Sequence, residues 1–285
     1  MPRYALTIAY DGTDFSGWQK QEPYAPDPAA EDDGSGPDLL PVREGESRQR
    51  VALRTVQHVA ERAVREVVRE PVILMGASRT DAGVHARGQC AAFTCTETAW
   101  PVERGLDRLL RAVNGKLPED VLVVGARRAG PAFDPIHDAV AKEYTYTLHA
   151  ARERALWDRR FVHHVYEPID VAAMNAAAAH IVGEHDFVSF AAAGHGRLTT
   201  VRTVLACGVE TPAPDRVVIR VAGTGFLYNM VRIIAGTLVD VGRGRIAADA
   251  IPGIIASKDR RSAGPTLPPT GLCLEWIRYA GEVEA

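Results

Sequence analysis

The sequence predicts an α+β protein. It is read as two similar α/β halves with mixed, mainly antiparallel sheets, helices on one side and a cleft between them. Three observations predict it. Short strand-like apolar runs alternate with amphipathic helical periodicities. The same ingredients recur on either side of about residue 135, giving halves 1–134 and 135–285. The length of 285 residues, with 46% hydrophobic and 24% charged residues, suits one large domain or two sharing a binding cleft.

Tyr4 to Tyr10 reads as the first strand, closed by the Asp11-Gly12 turn signal. From about Glu22 to Ser47 the composition turns to Pro, Gly, Asp and Glu. Such a stretch buries too little apolar surface to offset its ordering entropy, so 22–47 is expected to be an acidic, disordered insert. Helical periodicity starts near Val51 and runs through Val56, Val59, Ala63 and Val67, until Pro71 stops it. Val72 to Met75 is a short buried-strand run. A polar loop, Ser78 to Gly88, separates it from a strand at Gln89 to Thr94. A helix over Val102 to Val113 and a strand over Val121 to Arg127 complete the first half.

In the second half, strands are expected at Val140–His149, Val201–Glu210, Arg216–Val221 and Leu272–Tyr279. Helices are expected at Val171–Val182, Phe226–Val241 and Ala247–Ala256.

The net charge of −3 hides a segregation. Residues 22–46 hold eight acids and one base, a net of −7, which leaves +4 on the rest. A mildly basic body with an acidic insert is compatible with nucleic acid without demanding it. Cys90, Cys95, Cys207 and Cys273 form no CxxC pair and lack histidines at zinc spacing, so they read as buried apolar thiols rather than a metal site. No window approaches the roughly 18 apolar residues of a membrane span. The N-terminus enters a strand pattern without a signal peptide, which points to the cytoplasm.

The loop Arg79-Thr-Asp-Ala-Gly-Val-His85 is the most informative segment. A polar turn between apolar strands displays its side chains at a sheet edge. Arg79 beside Asp81 favours the ionised carboxylate, and Gly83 permits backbone angles closed to other residues. On local chemistry alone Asp81 reads equally well as a turn-capping residue.

Five segments resemble the TruA-type tRNA pseudouridine synthase family, in the family's order. They are Tyr10 to Gln19 (YDGTDFSGWQ), Arg79 to Ala86 (RTDAGVHA), Lys142 to Tyr146 (KEYTY), Gly223 to Arg232 (GTGFLYNMVR) and Gly264 to Leu272 (GPTLPPTGL). The resemblance spans nearly the whole chain outside the insert. It implies that Asp81 is the catalytic carboxylate, a nucleophile or base toward the sugar of a uridine whose uracil is detached, rotated and rejoined through C5. Substrate and product are isomers, so neither a cofactor nor a metal is implied. Tyr144 corresponds to the family's active-site tyrosine, able to stack on an extruded base. Arg232 corresponds to an arginine that pairs with the aspartate. Arg79, Phe226 and Leu227 complete the implied substrate-binding set. A strand tyrosine half-buried in a sheet, and core packing of Phe226 and Leu227, are the plainer alternatives. The implied partners are tRNA, modified at positions 38, 39 and 40 of the anticodon stem-loop, and a second subunit in a homodimer.

Lys20, Arg54, Arg87, Lys142, Arg243, Arg245, Lys258, Arg260 and Arg261 are candidate phosphate contacts, each individually more often a solvated charge. His85 is read as shaping the loop, and His163-His164 suggest no ligand set. The sequence departs from the family in the acidic insert, in Ile136 where an arginine is usual, and in Ser78 where glycine commonly precedes Arg79. A pseudouridine synthase for another RNA and a non-catalytic RNA-binding module are the rival readings. An aspartyl hydrolase would need a second carboxylate around a water, and no matching segment holds one.

Overall fold

The computed structural model describes residues 1–24, 49–96, 105–192 and 199–281. All of the acidic stretch after Tyr24 up to Ser47, and positions 102–104 of the expected second helix, lie outside them. The chain forms two compact units, Met1–Gly83 with Cys90–Pro135, and Val84–Gln89 with Ile136–Ala285.

In the first unit, β1 (Arg3–Tyr10) pairs antiparallel with β4 (Val121–Ala129). Strand order is β4-β1-β3, with β2 (Met75–Gly76) antiparallel to the later part of β3 (His85–Thr94). Tyr4, Leu6, Ile8 and Tyr10 alternate into the core at 5% exposure or less, the period of two that a half-buried strand requires. α1 (Val56–Val68) starts at Thr55, whose side chain accepts from the His58 amide. It ends at Arg69 in the left-handed conformation, φ 60°, two residues before Pro71. The helix begins five residues later than Val51 because Thr55 caps it there; Val51 instead donates to Pro23 O. α2 (Leu106–Asn114) is held to β4 by Asn114, which exchanges two hydrogen bonds with the backbone of Val123.

The buried strand expected over Val72–Met75 is formed only at Met75, which opens β2. Before it, Ile73 is 71% exposed, and the backbone polar groups go to α1 side chains instead of a ladder. The Leu74 amide donates to Glu61 Oε2 at 3.0 Å, the Leu74 carbonyl accepts from Gln57 at 2.8 Å, and the Val72 carbonyl accepts from Arg65 at 2.7 Å.

In the second unit the strand order is β10-β5-β9-β8-β7, with β6 (His163–Val165) beside β5. These are β5 (Ala139–Ala150), β7 (Gly183–Asp186), β8 (Val201–Ala213), β9 (Arg216–Gly223) and β10 (Leu272–Tyr279). The opening residues of β3 belong to this unit, His85 and Ala86 lying parallel to Cys273 and Leu274. Residues 85–88, expected in the loop, are therefore strand. With β5/β6 the other parallel pair, the sheets are mixed and mainly antiparallel, as expected of the α+β class.

α3 (Val171–Ala179) is capped by Asp170, which accepts from the Ala173 amide. α4 (Met230–Gly242) is buried along nearly all its length. It starts four residues later than Phe226 because Asn229 sits in the left-handed conformation, φ 60°, which breaks the helical path. α5 (Ile251–Ser257) follows a short 3₁₀ turn. All four cysteines are free; Cys90 and Cys95 are buried, while Cys207 and Cys273 are only half-buried. Burial nevertheless pushes the thiols of Cys207 and Cys273 up to about 12, so they stay protonated and inert.

No described helix is long and apolar enough to cross a membrane.

Candidate active site

The loop that carries Asp81 is held by the first family-like segment. The Trp18 amide donates to Thr80 O at 3.0 Å, and the Thr80 hydroxyl lies 2.8 Å from the Tyr10 hydroxyl in a buried contact. The Gly83 amide donates to Phe15 O at 3.3 Å. The two backbones touch so closely that a Cβ on Gly17 would stand 2.8 Å from Thr80 O, and Gly17 itself has φ +89°. Only glycine meets both demands at once. Gly83 turns the chain at φ 77° before it enters β3. Thr80 is thus buried, Arg79 exposed, and Asp81 between them half-buried on a backbone fixed on either side. Phe15, in turn, lies under the Arg54 guanidinium at 4.0 Å.

In the second unit the other three family-like segments converge. Tyr144 stands on β5 between Leu274 of β10 and Val221 of β9, and is 7% exposed. Its ring meets that of Phe226 edge-on, with centroids 5.4 Å apart. Leu227 is buried beside the half-buried Phe226 in the turn before α4. Arg232, one turn into α4, donates from Nε to Leu267 O at 2.7 Å and from Nη1 to Asn229 Oδ1 at 2.8 Å. The segment Gly264 to Leu272 lies against α4 because two glycines allow it. A Cβ on Gly236 would meet Pro265 O at 1.9 Å, and one on Gly264 would meet the Thr237 backbone at 2.6 Å. The same segment receives the Tyr146 hydroxyl on Pro268 O at 2.8 Å. Burial drives the Tyr146 phenol well above its usual range, with the Arg232 charge opposing, so Tyr146 serves as a neutral hydrogen-bond donor.

The site residues expected from sequence therefore fall into two sets. Arg79 and Asp81 lie in the first unit; Tyr144, Phe226, Leu227 and Arg232 lie in the second and are tied to one another through β5, α4 and the 264–272 segment. Phe226 and Leu227 precede the helix instead of opening it. Thr80, Tyr10 and Gly17, which hold the Asp81 loop, are not among the site residues expected from sequence; the signal for them lay in the Tyr10 to Gln19 and Arg79 to Ala86 motifs that contain them.

Several candidate phosphate contacts are committed elsewhere. Arg54 is bound to Asp120 at 2.9 Å, Lys258 to Asp186 at 2.9 Å, and Arg245 to Glu167 at 2.7 Å, with Arg243 on the same glutamate. Arg87 pairs with Glu275, Arg261 with Asp259, and Arg260 donates to the carbonyls of Ala263 and Gly264. These are structural ion pairs and braces first. His85 is buried in β3 with its ring 4.8 Å from that of Phe161. Among the described residues no group of three or more His, Cys, Asp or Glu side chains is arranged to hold a metal ion.

The protein is of the α+β class, with a loop carboxylate held in the first unit and an aromatic and arginine set built separately in the second. Comparison with known proteins sharpens this. A family model described as tRNA pseudouridine synthase matches residues 177–280. A tRNA pseudouridine synthase A of Pelobacter propionicus is 39% identical, with 96% of this chain and 98% of that one aligned. One of Geotalea uraniireducens is 39% identical over 98% of this chain and all of its own, and one of Moorella thermoacetica 38% over the same shares. A solved Cbf5-Nop10-Gar1 complex aligns at 13% identity and TM-score 0.31, covering 65% of this chain and 41% of that one, too low to bear on fold or function. The chain belongs to the tRNA pseudouridine synthase A (TruA) family, and is an isomerase of the pseudouridine synthase kind.

Proposed function

We propose that this enzyme converts uridine to pseudouridine in tRNA, at positions 38, 39 and 40 of the anticodon stem-loop, with Asp81 as the nucleophile. The observation that carries the reading is the Asp81 loop. Its sequence matches the family's RTDAG segment, and its backbone is pinned by Trp18, Gly17 and Phe15. A catalytic group held this way loses little freedom on reaching the reacting atom.

In the proposed reaction the bond from N1 of uracil to C1′ breaks and a bond from C5 to C1′ forms. A proton leaves C5 and one is gained at N1, so substrate and product are isomers and no redox partner is consumed. Tyr144 stacks on the extruded base, with Phe226 and Leu227 as the apolar wall. Arg232 and Arg79 complete the binding set, Arg232 as the partner that orients Asp81. The tRNA substrate is supported by the names of relatives aligned over nearly the whole chain. The anticodon positions and the homodimer rest on the family resemblance.

Pseudouridine mapping in tRNA from a deletion strain tests this. Complementation with the wild-type gene is expected to restore the modification at positions 38 to 40. Asp81→Asn keeps size and polarity but cannot act as a nucleophile, so it is expected to bind tRNA and restore none. Modification by that variant within about tenfold of wild type would overturn Asp81's role; restoration at other positions alone would overturn the site.

A further inference from the structure

The segment Ala151–Phe161 connects β5 to β6. Its sequence, ARERALWDRRF, places Arg152, Arg154, Arg159 and Arg160 around Leu156 and Trp157. Several contacts hold it to the second unit, among them that of His164 Nε2, which lies 2.8 Å from Ala151 O. His149 Nε2 lies 2.9 Å from Glu153 O, the Asp158 carboxylate is bound by Arg216, and the Phe161 ring rests 4.8 Å from that of His85. Arg159 further donates to Leu156 O at 3.0 Å.

A loop anchored this firmly nonetheless leaves its largest apolar side chain outside. Trp157 is 92% exposed and Leu156 63%. The surrounding charge is one-sided. Of the two acids in the segment, Asp158 is already bound by Arg216, while all four arginines are exposed. A flat aromatic ring standing in solvent among guanidinium groups suits a base stacked on the ring with phosphates on either side. It suits an apolar protein partner less well, because the exposed guanidinium groups of Arg152, Arg154 and Arg159 would have to be desolvated or paired with acids.

We propose that Ala151–Phe161 is an RNA-docking loop. Trp157 stacks on an unpaired base of the substrate RNA, and Arg152, Arg154 and Arg159 contact its backbone. This rests on the reading of the protein as an RNA-modifying enzyme and adds to it a second RNA contact, outside the Asp81, Tyr144 and Arg232 set. The anchor of Phe161 on His85 ties the loop to the strand that begins four residues after Asp81 in the chain.

The test uses the full-length protein and an unmodified tRNA transcript. Trp157→Ala is expected to raise Kd and KM roughly tenfold, the usual loss of one aromatic stack, with kcat retained. Trp157→Phe is expected to keep most of the affinity. Arg152→Ala with Arg154→Ala is expected to reduce the slope of log affinity against log salt by about 1.4 to 1.8, two phosphate contacts' worth. Wild-type Kd and KM in Trp157→Ala, or an unchanged salt slope in the arginine variant, would overturn the proposal. So would a change of sedimentation from dimer to monomer in Trp157→Ala with affinity per subunit intact, since the ring would then face a second copy of the chain. The two readings fail separately: turnover of the wild type checks the reaction, and affinity of the loop variants checks the loop.

Discussion

Thr80 holds the peptide next to Asp81 by both of its ends. Its carbonyl accepts from the Trp18 amide and its hydroxyl meets that of Tyr10 at 2.8 Å, at a position 7% exposed. Thr80→Val keeps the shape and removes the hydroxyl from a buried pair, a change that typically costs about 1–3 kcal/mol. Because Thr80 positions Asp81 and is not itself placed against substrate, kcat is expected to fall with KM little changed. Tyr10→Phe removes the other partner. The double variant is expected to be less destabilised in urea than the two single losses added together, since replacing both partners by apolar groups removes the mismatch. Strict additivity would show that the two hydroxyls do not act as a pair. The Asp81 turn was legible in the sequence, because a polar turn with glycine between apolar runs is a local pattern, whereas a catalytic role for its carboxylate was implied only by the family resemblance. Thr80's part was not legible, because its partner Tyr10 is 70 positions away and only the folded chain brings them together.

Among the elements, those with a regular period and clear punctuation were readable and those held by side chains were not. Leu272–Tyr279 alternates and is bounded by turn residues, and it is a strand over that span. Val72 to Met75 is as apolar, yet its backbone is satisfied by Glu61, Gln57 and Arg65 of α1. The start of α4 was misplaced for a related reason. Periodicity continues through Phe226 and Leu227, but Asn229 adopts a left-handed conformation that apolar spacing does not record. The Glu61 arrangement yields a prediction. Its Oε2 takes the Leu74 amide in a buried bond while its Oε1 pairs with Arg65 at 2.8 Å. Glu61→Ala leaves the Leu74 amide without that acceptor and is expected to lower unfolding stability by about 1–3 kcal/mol. Glu61→Gln retains an acceptor and is expected to lose less. A Glu61→Ala protein within about 0.5 kcal/mol of wild type in chemical denaturation would show that the loop before β2 does not depend on α1.

At the scale of the whole chain, the α+β class followed from alternating strand and helix patterns, whereas the partner of β3 did not. His85 pairs with Cys273, parallel and 188 positions distant, a choice set by global packing rather than by either segment alone. The acidic insert poses the remaining question at this scale, and its stem lies among the described residues. Leu53 donates to Gln21 O at 3.1 Å, Val51 to Pro23 O at 2.9 Å, and Arg50 reaches Glu22 O and the Tyr24 hydroxyl. Tyr24 and Arg50 form an antiparallel bridge, so the chain leaves and re-enters the first unit at adjacent points. Residues 25–48 hold seven acids and two arginines, a net of −5, and their removal takes the chain from −3 to +2. A short Gly-Ser turn in their place leaves every stem bond in position, so melting temperature and tRNA modification are expected to stay near those of wild type. Shortening a closed loop changes stability slowly, by about 0.6 kcal/mol per halving. The salt response separates a bystander from a gate. About five phosphate contacts give a slope of roughly −3.5 to −4.5 in log affinity against log salt, set by the contacts themselves rather than by distant charge. If the insert is a bystander, the shortened protein keeps the wild-type slope and binds non-cognate RNA only marginally tighter. A tenfold or greater gain in non-cognate affinity at low salt, with tRNA turnover kept, would instead make the −5 stretch a repulsive gate. Failure of the shortened protein to fold would defeat both outcomes, because it would make residues 25–48 part of the packing that the stem alone does not supply.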